Sequence, residues 1–311
     1  MIILEDLPLE ERKKYLISLQ KEKEKKQLDT FGEQTRYRCE QINVTKVDDI
    51  PRSNSVIKTQ FSLSLSLERM IAKIKLEDYI YEIIPNLLNV IFDFIKQTEY
   101  IKHNVHLQLA KNGKIEEITN KAEINKNWKD FLNSGKFETE FIQKLRDKNP
   151  EVLNQIIETG NKQFAINAAS EEDYRRELFY MIIFDEFLTN KEIGIIKKED
   201  FMFRSVLIPD TIIPMLLESE LMKNDKDNIY KYKKKGTALI SDEKRKEIKE
   251  KYDKYQKPDI QYNFTEYYLG FSIETDIDNM NKLPLNSRME IFEGVKHNVD
   301  SICNFKLRRL D

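Results

Sequence analysis

Glycine is scarce: the 311-residue chain has eight, where average usage would give roughly twenty. They stand at 32, 113, 135, 160, 194, 236, 270 and 294, and no two are closer than 22 positions. The fingerprints G-x-G-x-x-G, G-x-x-x-x-G-K-[ST] and G-x-S-x-G each need two or more glycines within about eight residues. That spacing excludes all three, so a Rossmann enzyme, a P-loop NTPase or an elbow-type hydrolase is not expected. Two cysteines, Cys39 and Cys303, make neither a disulfide framework nor a four-cysteine zinc site. The N-terminus, Met-Ile-Ile-Leu followed by Glu5 and Asp6, lacks the basic start and apolar core of a signal peptide. No apolar run approaches the ~20 residues of a membrane span. A cytoplasmic protein without a membrane span is the expectation, with export by a signal-independent route left open.

Charge of one sign is also lacking, with 52 basic against 54 acidic residues. The whole molecule therefore exerts no steering toward polyanions. Arginine supplies 13 of the 52 bases; lysine, the remainder, is a hydrated point charge without the planar fork that suits phosphate.

What is present is a supply of apolar residues, 40% of the chain. A body of this length buries about three quarters of its unfolded surface. Pro8 begins a helix to about Gln27 with Leu9, Leu16 and Leu19 on one stripe, and its end, KEKEKKQ, is polar all round. Phe61, Leu63, Leu65 and Leu67 alternate with serines, the period of two of a half-buried antiparallel strand. Ala72, Ile74 and Leu76 suggest a second. Pro85 opens a helix with Leu87, Leu88, Ile91 and Ile95 on one side. Val105, Leu107 and Leu109 then alternate into Asn112-Gly113, the pair that suits a type I′ turn, and Lys114 to Ile118 returns. Asn120 with Glu123 reads as a capping box before a helix that buries Ile124, Trp128, Phe131 and Leu132.

Helices are expected over 136–148, 151–159 and, after Ser170, 171–189, where Leu178 to Phe184 is apolar on every side. Residues 201–217 are apolar with two prolines and read either as a core crossover or as an exposed docking surface. Between 229 and 257 there are eleven basic and five acidic residues, whereas 258–300 holds three and eight. Ser241 caps a helix with Ile248, Tyr252 and Tyr255 inward. Alternation at 265–273, 289–295 and 299–307 gives a C-terminal antiparallel meander.

No motif carries catalysis. His103 and His106 form an H-x-x-H, but on a strand a separation of three points them to opposite faces, and no metal site is expected. Cys303 has the inward parity of its strand, and a thiol packed among apolar neighbours is inert; a Cys303–His297 nucleophile is disfavoured. Asp173, Glu177, Asp185 and Glu186 are acids that converge only if the fold brings them together. Glu172 to Arg176 is an ordinary i,i+4 pair.

The expected fold is α+β: antiparallel strands with covering helices, a helical N-terminal arm (1–32), an α+β region (33–150), a mainly helical region (151–228) and a C-terminal antiparallel sheet with one helix (229–311). The expected function is non-enzymatic, an accessory or scaffold component of a larger bacterial complex, with no cofactor, metal or catalytic residue. A protein partner would meet Lys21, Lys23 and Lys25 on the arm, Phe201, Phe203, Ile212 and Ile213 in the Pro-broken segment, and Tyr230, Tyr232, Lys233, Lys234 and Lys235 in the basic stretch. Nucleic acid is not the expected partner, because Tyr252 and Tyr255 fit the inner face of their helix, Glu247 to Lys251 and Glu250 to Lys254 satisfy each other, and the following segment is comparably acidic. The alternatives are a carrier of an apolar small ligand or lipid, and a hydrolase using paired carboxylates.

Overall fold

A computed structural model describes residues 31–85, 89–190, 192–223 and 228–311, with the side chains of 89 and 90 set aside. The expected arm helix, with Lys21, Lys23 and Lys25, lies outside the described residues. The core of the structure is one antiparallel sheet of eleven strands, in the order β5-β4-β3-β2-β1-β11-β10-β9-β8-β7-β6. The strands are β1 (Gln34–Val47), β2 (Ile50–Ser66), β3 (Ile71–Ile84), β4 (Asn104–Leu109), β5 (Ile115–Ile118), β6 (Ile196–Arg204), β7 (Ile212–Lys223), β8 (Ile229–Ala238), β9 (Tyr267–Asp278), β10 (Pro284–Val295) and β11 (Val299–Arg309). From β1 in the middle of the sheet the chain meanders out to β5, crosses to the far edge through helices, and meanders back until β11 pairs with β1. The strands of 33–150 and those of 229–311 are therefore parts of one sheet.

Eight helices occur among the described residues: α1 (Asn89–Lys102), α2 (Lys121–Leu132), α3 (Glu140–Lys148), α4 (Pro150–Gln163), α5 (Glu171–Arg176), α6 (Leu178–Ile183), α7 (Asp242–Tyr255) and α8 (Lys257–Ile260). Local chemistry starts several of them. Thr139 accepts from the Ile142 amide at 3.3 Å, Ser241 accepts from the Lys244 amide at 3.2 Å, and Pro150 fills the first turn of α4, where its missing N–H costs nothing.

The odd-numbered positions of β1, β10 and β11 face the helices. Across the middle strands this gives continuous cross-strand rows, such as Asn43, Cys303, Ile291 and Phe271. The sheet curls so that its edges approach each other. Lys114, in the turn between β4 and β5, pairs with Glu199 of β6. Arg175 of α5 donates to the Ile115 carbonyl at 2.8 Å, and Glu171 accepts from the Ile118 amide at 3.3 Å. Side chains of α5 thus satisfy backbone groups of edge strand β5 that would otherwise invite another strand. Inside the curl lies 178–188, where Tyr180, Ile182, Ile183 and Phe187 are almost entirely buried, as the run of apolar residues requires.

Several local expectations change. The β4–β5 hairpin is not a two-residue I′ turn: Ala110 donates to the Lys114 carbonyl across three residues, and of Asn112 and Gly113 only Gly113 has positive φ, at 83°. That is a type I turn closed by a left-handed glycine. A Cβ on Gly113 would stand 2.7 Å from the Asp185 carbonyl oxygen, so close approach also demands glycine here. Asn120 precedes α2 but does not cap it; its Oδ1 accepts from the His106 amide at 2.8 Å and its Nδ2 donates to the Asn104 carbonyl at 3.0 Å, which ties the helix to β4. The helix expected over 171–189 breaks at Glu177, whose ψ of 138° is extended. Residues 201–217 form the end of β6, a loop and the first half of β7. Tyr255 is 41% exposed rather than inward, with the Lys254 ammonium over its ring.

Candidate functional site

A cavity of about 890 Å³ lies between the concave face of the sheet and helices α4 to α6. Its floor follows from strand parity. The inward row of β1 begins with Tyr37 and Cys39, both buried, and then turns polar at Gln41, Asn43 and Thr45. Gln41 donates to Asn43 at 2.9 Å, and Asn43 donates to Ser55 at 3.0 Å, so the amides are held as a chain. Beside them lie Ser301 and Cys303 of β11, then Ile291 of β10 and Phe271 of β9. Phe201 and Phe203 of β6 and Leu178 and Met181 of α6 complete an apolar end. Burial pushes the Cys303 thiol up to about 11.

The opposite wall is charged and comes from the break at Glu177. In an unbroken helix Tyr174 and Tyr180 would be separated by six residues, about 120° apart around the axis. The break lets both approach His103, at the end of α1. Tyr180 lies 2.9 Å from His103 Nδ1, Tyr174 donates to the Lys102 carbonyl at 2.6 Å, and both rings pack against the imidazole. His103 Nε2 meets Glu99 at 2.8 Å and Glu177 at 3.3 Å, and Lys102 pairs with Glu177. Burial raises the Glu99 carboxyl, but the hydrogen bond and charge of His103 and the charge of Lys102 outweigh it, and the net shift is downward. Burial likewise lowers the Lys102 ammonium, and the neighbouring Glu177 and Glu99 more than reverse it. The Tyr174 and Tyr180 phenols are held far above their ordinary range by burial. The Tyr180 and Tyr174 contacts fix the imidazole so that Nε2 faces both carboxylates.

Lys102, Asp173, Arg176 and Glu177 present this network to the cavity. Arg176 reaches Glu172 at 3.1 Å, while its Nε has no acceptor among the described residues. A second cavity of about 410 Å³ opens on the far side of Lys102, between α1 and α4, and shares Lys102, Thr159 and Gln163 with the first.

Glu293 also borders the large cavity, but it is a structural group. Its carboxylate accepts from the Ser205 hydroxyl, the Tyr267 hydroxyl at 2.8 Å, and the amides of Val206 and Leu207 at 2.9 and 3.2 Å. These donors satisfy the buried carboxylate and fix the loop after β6.

The described residues among those expected to meet a partner divide between buried and exposed positions. Phe201 is half-buried on the cavity floor and Phe203 is buried beside it. Ile213 is fully buried and Ile212 is exposed. Tyr230 is half-buried, with the Lys282 ammonium 5.0 Å from its ring centre. Strand parity divides the basic stretch. Tyr232 and Lys234 face inward, where Lys234 pairs with Asp185 at 2.6 Å and Glu199 at 2.8 Å and Tyr232 donates to Asp185 at 3.1 Å. Lys233 faces outward to Glu274 at 3.5 Å, and Lys235 is exposed. An ammonium as buried as that of Lys234 has no surface to offer a partner. Of the acids considered for hydrolysis, Asp173 and Glu177 line the cavity together, whereas Asp185 pairs with Lys234 and is not part of its lining. His103 and His106 likewise diverge, the first into the network above and the second against Phe31.

Gln41, Asn43, Thr45, Lys102 and Arg176 escaped the sequence reading. The available signal was the inward row of β1, where polar side chains occupy positions that a packed core would fill with apolar ones.

No family model matches the chain, and no curated protein matches it. Among solved structures it is similar to a chain described under lipid–protein interactions in lipovitellin, with 10% identity and a TM-score of 0.45. The match covers 89% of this chain and spans about a quarter of the other, 25% of its length. No described helix is long and apolar enough to cross a membrane.

Proposed function

We propose that this chain is a non-catalytic binding protein that takes an amphipathic organic molecule into the cavity under its helices. The observation that carries this reading is the cavity itself: about 890 Å³, within the ~300–1,000 Å³ typical of small-molecule sites. Its Phe201, Phe203, Phe271 and Ile291 end suits an apolar body, and its Lys102, Arg176 and Gln41 side suits a polar head. The partial closure of the space by α5 and α6 supports a carrier over a surface receptor. Both cysteines are free, which supports assignment to a reducing, cytoplasmic setting.

A fluorescent anilinonaphthalene sulfonate probe tests the reading with the full chain. It is expected to brighten on binding, to be displaced by long-chain carboxylates, and to slow alkylation of Cys303. Ile291→Trp, which fills the floor, is expected to abolish all three responses while leaving the melting temperature within a few degrees. Native mass spectra without a co-purifying ligand, together with probe binding unchanged in Ile291→Trp, would overturn the proposal.

A protein-binding, scaffold role is the second reading. It is favoured by the edge strand β6 and the turn before it, where Ile193, Ile195, Ile196 and Met202 are exposed. An apolar edge of this kind is a template for strand addition. Size-exclusion chromatography with light scattering tests it, since Ile196→Lys with Met202→Lys would abolish any self-association through that edge.

A further inference from the structure

The face of the sheet turned away from the helices carries a different feature. Over most of that face, charge is neutralised across strands. Glu40 stands opposite Lys58 and Lys46 opposite Asp300, while Lys198 contacts Glu218 at 2.8 Å and Lys233 reaches Glu274 at 3.5 Å. Cations gather where β1, β11 and β10 meet. Arg38 stands directly opposite Arg308, and Arg288 directly opposite Lys306; the other cross-strand neighbours of Arg288 and Lys306 are the acids Glu274 and Glu40 respectively. Lys306 and Arg308 are two residues apart on one face, about 7 Å, and neighbouring strands are about 5 Å apart, so four cations share one small area.

All four are exposed, and none has an ion pair among the described residues. Their neighbours differ: Arg36 pairs with Asp311, and Arg309 with Asp278. The four rim a shallow depression of about 520 Å³, whose wall also holds Lys231 and the acids Glu40, Glu274 and Asp276. Glu274 is already engaged by Lys231 and Lys233, Glu40 stands opposite Lys58 and Asp276 opposite Lys231.

Like charges directly opposite on a sheet are destabilising, so this arrangement works against the fold that carries it. Its composition points to a ligand. Lysine outnumbers arginine threefold in this chain, yet three of the 13 arginines gather here. The guanidinium fork matches the paired oxygens of a phosphoryl group, which an ammonium does not. Single-stranded nucleic acid would need aromatic faces between the cations. Phe292, farther along β10 on the same face, instead has its ring folded over Gly270, where a Cβ would meet it at 2.2 Å.

We propose that Arg38, Arg288, Arg308 and Lys306 form a binding site for a multiply charged phosphoryl anion, on the convex face and independent of the cavity. Titration calorimetry of the full chain with inorganic tripolyphosphate is expected to show one site that weakens with added salt. Arg38→Gln with Arg308→Gln should weaken it by at least about tenfold, the scale of losing charge-assisted hydrogen bonds. Lys198→Gln, which disturbs a neutralised pair elsewhere on the face, should leave it unchanged. In thermal melts without the anion, the double variant should melt at or above the wild-type temperature because the like-charge pair is relieved, and the anion should raise only the wild-type value. Co-sedimentation with phosphatidate vesicles, lost in the same variant, would place the phosphoryl group on a lipid. No binding of tripolyphosphate or vesicles, equal binding by the variant, or tighter binding of an oligothymidylate would each overturn the proposal.

Discussion

Replacing Lys234 by methionine tests how the curled sheet is held shut. The Lys234 side chain is 6% exposed and that of Asp185 4%, so neither charge has water to fall back on. Glu199, the other partner of Lys234, is 29% exposed and keeps Lys114. Asp185 keeps only neutral donors, the Tyr232 hydroxyl and the Glu186 amide. The damage therefore concentrates on Asp185. Removing one member of a buried pair costs about 3–5 kcal/mol, most of it the penalty of the charge left behind. At roughly 2 °C per kcal/mol for a chain this long, Lys234→Met is expected to melt about 6–10 °C lower. Denaturant unfolding followed by circular dichroism gives the free energy directly. Adding Asp185→Asn removes the orphaned charge and should restore about half of the loss or more, so the double variant is expected to be more stable than the single one. The reasoning is refuted if Lys234→Met loses less than about 1 kcal/mol, the scale of an exposed pair, or if the double variant is the less stable of the two.

Three further outcomes are expected. Gly160→Ala places a Cβ 2.3 Å from the Trp128 ring, and overpacking of this kind costs about 1–3 kcal/mol, to be read from the shift in denaturation midpoint. The Glu99 carboxyl is held below its ordinary value by His103 and Lys102 despite burial; its contribution is present above the unfolded-state value of about 4.3 and is lost as pH falls through the lower folded one. Glu99→Gln should therefore flatten the acid limb of a stability-against-pH curve and leave its slope unchanged above about pH 6. Alkylation by iodoacetamide should modify Cys303 and spare Cys39, which is 1% exposed. With the Cys303 thiol at about 11, the rate should rise close to tenfold per pH unit between about 7 and 10; a plateau near pH 8.5 would show an unperturbed thiol.

Antiparallel architecture was legible because alternation survives in single strands, and the inward and outward sides of β2, β4, β9 and β11 match their sequence patterns. Ser241, Ile248 and Tyr252 placed α7 for the same reason: cap and stripe are both local signals. What the sequence concealed is non-local. Glu177 leaves the helix to meet Lys102 and His103, more than 70 positions earlier, and no propensity near 177 records that. Lys234 looked like one of three solvated lysines, although the alternation that buries Tyr232 buries Lys234 with it; the partner that makes this tolerable, Asp185, stands on another element. The polar row of β1 is the instructive miss. Gln41, Asn43 and Thr45 lack strand-like amphipathicity of the usual kind, because the side of the strand they face holds a cavity instead of packed side chains.

The pairing of β1 with β11 sets the order in which this molecule can be completed. Residues 34–47 and 299–309 are joined along eleven cross-strand positions, yet more than 250 residues separate them. During synthesis β1 emerges long before β11 and has β2 on one side only, while its other flank awaits β11. Contacts of such long range slow folding, and an unsatisfied central edge is a template for pairing with a second nascent chain. The half built from β1 to β5 is therefore the species that a chaperone would need to hold. Slowing translation after β5 would prolong its exposure, so aggregation during expression should depend on the second half of the message.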